Sequence, residues 1–253
     1  MVSPSDPGAE RILAIDIGAT NIKFCHVDDR GQLLESIRRR LTPYPCTPIR
    51  LVDLLSARIQ RSQSRRVGVG FPGELVDGRV VRPGNLSRPG GVKTEIDPEL
   101  YRQWSDFDLQ GELRQRTRRD VRLVNDATMA AYGSCVGSGT ELVLTLGTAF
   151  GLALERNGVL VKVRDVGTEP FVDGRTCDGA LGERSRAADE MTWHALVHRA
   201  VAQFAREFGA DIVHLAGGNA RRIVTQSVLA LDYRIVIEGN EAPLRGAARL
   251  FYD

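Results

Sequence analysis

The chain has 253 residues, 42% hydrophobic and 26% charged, which is enough for one large core or two modest ones. A formal net charge of +2 implies neither a nucleic-acid nor an acidic-membrane partner, and no run approaches the ~20 apolar residues of a bilayer span. The four cysteines form no C-x-x-C pair, so no zinc knuckle is expected and a reducing, cytoplasmic compartment is the default.

Residues 1–10 are polar, carry Pro4 and Pro7 and lack an apolar core, so they read as a frayed tail rather than a signal peptide. Residues 11–17 form a short apolar run ending at Asp16 and Gly18. Residues 22–27 and 33–41 follow as strand-like segments, separated by a turn at 28–31. Residues 51–60 have helical apolar spacing, and 67–71 read as a buried strand entering Pro72-Gly73. A short strand at 79–81 precedes a Gly/Pro-rich loop at 83–91. A helix at 109–118 and a strand at 121–124 come next. Asn125 and Asp126 end that strand, with Asp126 placed to cap a helix over 127–136.

The opening pattern then recurs. Residues 141–146 read as a strand entering Gly147-Thr148-Ala149, with further strands at 151–155 and 159–163 around an Asn157-Gly158 turn. An amphipathic helix is expected over 192–208, and a strand at 212–215 enters Gly217-Gly218. A helix at 220–230, a strand at 233–237 and a helix at 242–251 complete the chain. Strand, glycine turn, strand, strand, helix appears twice, which predicts a duplicated α/β fold of two lobes with a cleft between them. The expected lobes are 1–122 with 241–253, and 123–240. The last helix is expected to pack on the N-terminal lobe.

The two glycine turns carry phosphate chemistry. In the first, Asp16-Ile17-Gly18-Ala19-Thr20-Asn21-Ile22-Lys23, small residues let backbone N–H groups approach phosphate oxygens. Thr20 adds a hydroxyl, Lys23 a charge, and Asp16 can hold Mg²⁺ through water. The alternative is a plain hairpin with Asn21 as a turn residue. Gly147, Thr148 and Ala149 repeat the logic, and Gly217-Gly218 suits close approach to a nucleotide, though a bare strand-to-helix turn looks similar. Asn125-Asp126 presents an amide and a carboxylate at a strand end, where phosphoryl transfer needs a base and where a helix cap would look the same.

These segments together with Gly70-Phe71-Pro72-Gly73 and Leu146-Gly147-Thr148 resemble the ROK sugar kinases, over nearly the whole chain. The spacing around Asn85-Leu86 and the absence of a cysteine-rich segment are most similar to the polyphosphate/ATP-glucokinase branch. The resemblance implies an actin-like ATPase (ribonuclease H-like) fold, Mg²⁺ with ATP or polyphosphate as donor, no zinc, a hexose-type acceptor and a homodimer. It implies Asp126 as the base, and Gly73, Asn85, Asn125 and Asp126 around the sugar. The family's Glu-x-Gly-His corresponds here to Asp165-Val166-Gly167-Thr168. Asp165 is a methylene shorter than Glu and Thr168 lacks an imidazole. Glu169 is a possible substitute. The family's Gly-Thr-Gly is Gly147-Thr148-Ala149, and Ala resists positive φ.

His194 and His198 lack the Glu of a metalloprotease helix. Arg38-Arg39-Arg40 and 116–119 read as solvated faces, with an arginine-lined polyphosphate track as the alternative. No helix-turn-helix is read before Arg11, which opposes a DNA-binding repressor. A catalytically weak sugar or nucleotide sensor is the rival to the kinase: Asp165 and Thr168 favour it, Asp16 and Asp126 oppose it.

Overall fold

The computed structural model describes residues 10–223 and 233–252. It divides into two compact units, Met1–Met129 with Pro243–Asp253, and Ala130–Ala242. The first runs to Met129, past the boundary at 122 expected from sequence, because the strand ending at Asn125 completes its sheet.

In the first unit β1 (Ile12–Ile17), β2 (Asn21–Val27) and β3 (Arg38–Leu41) form an antiparallel meander. α1 (Pro48–Gln60) leads into β4 (Arg66–Phe71), which pairs parallel with β1. A hairpin of β5 (Glu74–Val76) and β6 (Arg79–Arg82) follows. α2 (Pro98–Trp104) and α3 (Leu109–Thr117) then lead to β7 (Asp120–Asn125), parallel to β4. The strand order is β3-β2-β1-β4-β7. β1 sits mid-sheet with all six residues buried, which is why it reads as a continuous apolar run rather than an alternation.

α1 starts three residues before its apolar pattern, because Thr47 caps it by accepting from Arg50 N and Pro48 occupies the first turn. One sheet face packs Leu51, Leu55 and Ile59 of α1, together with Trp104, whose indole N–H donates to Cys46 O at 2.8 Å. The other face packs Leu244, Ala247 and Phe251 against Ile12, Ala14 and Val27. The last helix thus lies on the first unit, as two short helices, Ala242–Gly246 and Arg249–Tyr252, instead of one. The strand expected over 33–41 shortens to β3, with only an isolated bridge between Val27 and Leu33 before it.

α4 (Asp126–Ser134) follows β7. In the second unit β8 (Thr140–Leu146), β9 (Phe150–Arg156) and β10 (Val159–Val161) again form an antiparallel meander. A small hairpin of β11 (Pro170–Val172) and β12 (Arg175–Thr176) precedes α5 (Cys177–Leu181), α6 (Glu183–Ala188) and α7 (Glu190–Phe208). β13 (Ile212–Ala216) and β14 (Arg234–Ile237) extend the sheet in parallel, giving β10-β9-β8-β13-β14. This is the topology of the first sheet strand for strand, so the duplication read from sequence is present in the backbone. The helix expected over 220–230 shows a short 3-10 turn, Ala220–Arg222, and the rest lies outside the described residues.

The second unit also buries a polar cluster. Glu141 accepts from Gly137 N at 2.7 Å, Ser138 N at 3.0 Å and His214 Nε2 at 2.8 Å, while His214 Nδ1 lies 3.2 Å from Glu238 Oε1. Burial opposes both charges. The donated hydrogen bonds still hold the Glu141 carboxyl below its usual range, and the flanking carboxylates hold His214 above its own. Among the described residues, no helix is long and apolar enough to cross a membrane.

Gly68 on β4 meets the C-terminal segment so closely that an added Cβ would lie 2.8 Å from Ala247 Cβ. Gly68→Val is therefore expected to destabilise the protein by about 1–3 kcal/mol through overpacking. Denaturant titration measures this; an unchanged midpoint would show that the C-terminal segment yields freely.

Candidate functional site

The Gly18 turn is held from one side. Gly18 N donates to Asn21 O at 3.0 Å, closing the turn. Thr42 Oγ1 donates to Gly18 O at 2.7 Å, Tyr44 Oη to Ala19 O at 2.8 Å, and Thr42 N to Thr20 O at 3.0 Å. Three consecutive carbonyls are thus drawn to the 42–44 segment. Among the described residues the N–H groups of Ala19 and Thr20 have no partner, so they are left for an acceptor. Gly18 must be glycine, since a Cβ would sit 2.9 Å from Asn21 O. Thr42 and Tyr44 escape sequence reading because their contacts lie 24 and 25 residues away and their own stretch reads as loop.

Asp16 and Lys23 face each other across β1 and β2, and Lys23 Nζ donates to Asp16 Oδ2 at 2.8 Å. On the other side Asp16 pairs in register with Gly70 of β4, and Gly70 with Val124 of β7. A Cβ on Gly70 would lie 2.8 Å from Met129 Cε and 3.5 Å from Asp126 Cα. The bare glycine lets the start of α4 close on the sheet and places Asp126 within electrostatic reach of Asp16. Burial first, and the Asp16 charge second, push the Asp126 carboxyl up from 3.8 to about 7, with Ala127 N–H and Lys23 opposing. A carboxyl half-ionised near neutrality is matched to proton transfer.

The cap of α4 differs from expectation. Asn125 takes it, with Oδ1 accepting from Ala127 N at 2.9 Å and Thr128 N at 3.3 Å. Asp126 is the first helical residue, and its Oδ1 accepts from Ala127 N at 2.8 Å.

Asn125 Nδ2 also donates to Gly73 O at 2.9 Å. The Gly73 turn is interlocked with the loop after β6. A Cβ on Gly73 would lie 2.1 Å from Arg82 O, and one on Gly84 2.2 Å from Pro72 O. That contact carries Asn85, on the 3-10 turn Gly84–Ser87, to the same end of the sheet as Gly73 and Asn125. Asn85 is half-buried, and its side chain has no partner among the described residues.

The second unit builds its turn in the same way. Gly147 N donates to Ala149 O at 3.2 Å, and Gly147 O accepts from Glu183 N at 2.9 Å. Asn219 N donates to Leu146 O at 2.9 Å, and Asn219 Nδ2 to Glu183 Oε2 at 2.8 Å. Gly217, at φ +92°, sits so close to Leu146 O that a Cβ would be 2.5 Å away, so the Gly217-Gly218 turn lies against the Gly147 turn. Ala149 is not among the residues at positive φ, so alanine in place of glycine brings no strain here.

Asp165 and Thr168 are exposed in a separate loop of this unit, where Asp165 Oδ1 accepts from Gly167 N at 3.0 Å. Asp178 links that loop to the turn, donating from N to Gly167 O at 2.8 Å and accepting from Phe150 N at 2.7 Å. Glu169 Oε1 accepts from Arg164 Nε at 2.6 Å.

The profile of the ROK family matches residues 12–165. The chain is similar to the polyphosphate glucokinase of Mycobacterium leprae (strain TN), 28% identical over 97% of this chain and 74% of that one. It is similar to the polyphosphate glucokinase of Mycobacterium tuberculosis (strain CDC 1551 / Oshkosh), 27% identical over 92% of this chain and 88% of that one. Among solved structures, the inorganic polyphosphate/ATP-glucomannokinase of Arthrobacter sp. strain KM matches with a TM-score of 0.78 and 28% identity, covering 95% of this chain and 98% of that one. A ROK family glucokinase from Streptomyces griseus, in complex with glucose and AMPPNP, shares the fold with a TM-score of 0.76 at 19% identity, over 95% and 98%. The fold is accordingly the duplicated actin-like ATPase fold.

Because the Asp16 charge helps to raise Asp126, Asp16→Asn is expected to lower the Asp126 titration midpoint from about 7. Carboxyl-carbon NMR titration reads this without any substrate; an unmoved midpoint would leave burial as the sole cause.

Proposed function

This chain belongs to the ROK family, and we propose that it transfers a phosphoryl group from ATP or inorganic polyphosphate to a hexose hydroxyl, with Asp126 as the base. The carrying observation is the Asp126 carboxyl, raised to about 7 beside Asp16 and Lys23 at the end of the sheet. The relatives named polyphosphate glucokinase and polyphosphate/ATP-glucomannokinase support the hexose acceptor and both donors.

In this reading Asn125, anchored at Gly73 O, and Asn85 hold the sugar and present its hydroxyl to Asp126. Asp126 takes the hydroxyl proton as the oxygen attacks the terminal phosphorus and the donor's bridging oxygen departs. The N–H groups of Ala19 and Thr20, with the Thr20 hydroxyl, bind donor phosphate oxygens, and Lys23 adds charge. Within the second unit, the turns at Gly147, Thr148 and Ala149 and at Gly217-Gly218 are of the kind that receives phosphate oxygens. Asp165 is shorter than a Glu and Thr168 has no imidazole, so as sugar ligands they would offer less than a Glu and a His. Asp16 suits Mg²⁺, a hard cation, because one carboxylate oxygen remains beyond the Lys23 contact. The ion would be held there through water and would neutralise phosphate charge.

Asp126→Asn separates the base from a structural role. The amide keeps an acceptor for Ala127 N–H but cannot take a proton, so turnover is expected to fall by about 10²–10⁴-fold. Stability moves the other way. The native carboxyl binds its proton up to about 7 and the unfolded one only to 3.8, so wild type loses stability as pH rises through that window. The variant escapes the loss and is expected to be more stable at pH 8 by roughly 2 kcal/mol, after allowing for solvent screening, with the gain vanishing near pH 3. Wild-type kcat/KM is expected to fall below about pH 7. Kinetics and melting across pH measure all three, and near wild-type turnover of the variant would defeat the base assignment.

A further inference from the structure

At the far end of β1 from Asp16, by roughly 17 Å of strand rise, a pocket of about 450 Å³ lies wholly within the first unit. Arg11, Arg61 and Arg65 line it with His26, Ser62 and Ser64. The three arginines are exposed, come from two segments, Arg11 just before β1 and Arg61 and Arg65 from the stretch joining α1 to β4, and have no ion-pair partner among the described residues. Arg61 follows the C-terminal end of α1, where the helix dipole favours a cation, but that explains neither Arg11 nor Arg65. The one acidic residue of the lining, Glu10, is engaged by Arg66 at 2.8 Å and by the Tyr252 hydroxyl at 3.1 Å.

The floor is polar and buried. Ser62 Oγ lies 2.8 Å from His26 Nε2, and His26 Nδ1 lies 2.5 Å from Glu35 Oε1, so both ring nitrogens are engaged and the ring is fixed. Ser62 and Ser64 are each 4% exposed. Among the described residues Ser64 Oγ has no hydrogen-bond partner, an uncommon state for a buried hydroxyl. The kinase reading uses none of these groups.

We propose that this pocket is a second ligand site, separate from that at Asp126, for a small phosphoryl anion. Three guanidinium forks lining one pocket, from two segments of the chain, match the several oxygens of a phosphate, which a single carboxylate does not offer. When His26 Nε2 donates to Ser62 Oγ, the Ser62 hydroxyl proton is left for the anion. The volume admits one phosphorylated sugar or a few linked phosphates, not a long polymer.

Hydrogen exchange of residues 61–65 in the full chain tests it, with inorganic phosphate, tripolyphosphate, glucose 6-phosphate and sulfate at matched ionic strength. The phosphoryl anions are expected to slow exchange there saturably. The double variant Arg61→Ala/Arg65→Ala is expected to weaken that effect at least tenfold while sugar phosphorylation measured without added anion is unchanged. Arg65→Gln should weaken it less. The stronger of the tripolyphosphate and glucose 6-phosphate arms identifies the source of the phosphoryl group. No slowing, equal slowing in the double variant, or sulfate acting as strongly as phosphate overturns the proposal.

Discussion

A carboxylate withdrawn from water beside a second carboxylate resists ionisation, and the end of the first sheet is arranged around that resistance. Asp126 is forced there by backbone geometry: β7 ends at Asn125, and Asn125 caps α4, so the next side chain has no cap to make. Gly70 keeps the intervening strand bare, so α4 can close on the sheet. Lys23 pairs with Asp16, which leaves Asp126 the group that responds to its surroundings by holding a proton. The same two causes, burial and like charge, that weaken the folded state at neutral pH tune the group for accepting a proton.

The second unit uses its polar residues differently. Glu141 and His214 are as deeply buried as any core residue, yet their hydrogen bonds and mutual charge favour ionisation. Glu141 lies near the start of β8 and His214 in the middle of β13, whereas the Gly147 and Gly217 turns follow the ends of the same strands. The sheet is therefore pinned by paired charge from its starting edge to its middle, and beyond its ends it presents backbone whose geometry is set by glycines.

Much of this was legible in the chain because the decisive signals are local. The run at 11–17 followed by a small-residue turn, repeated at 141–147, announced the duplication, and the sheets match it strand for strand. Asn125-Asp126 declared a strand end. What stayed hidden depends on distant contacts. Thr42 and Tyr44 look like loop residues until β3 brings them under the Gly18 turn. Asp178 gives no sign of joining two loops, and the exchange of cap between Asn125 and Asp126 is decided by one residue of helix phase. Ala149 seemed to threaten strain, but its turn closes without a positive φ.

The support of the Gly18 turn couples it to the border of its sheet. Thr42 directly follows β3, the outermost strand, whose four residues are all exposed and which pairs only with β2 among the described residues. Border strands open locally at lower free energy than central ones. Opening β3 would withdraw Thr42 and Tyr44 together and release three carbonyls at once, so the turn orders and disorders as one cooperative piece with that strand. The rigidity of the Gly18 turn is therefore set by strand pairing at the sheet's margin, about as far across the sheet from the central parallel strands as this unit extends.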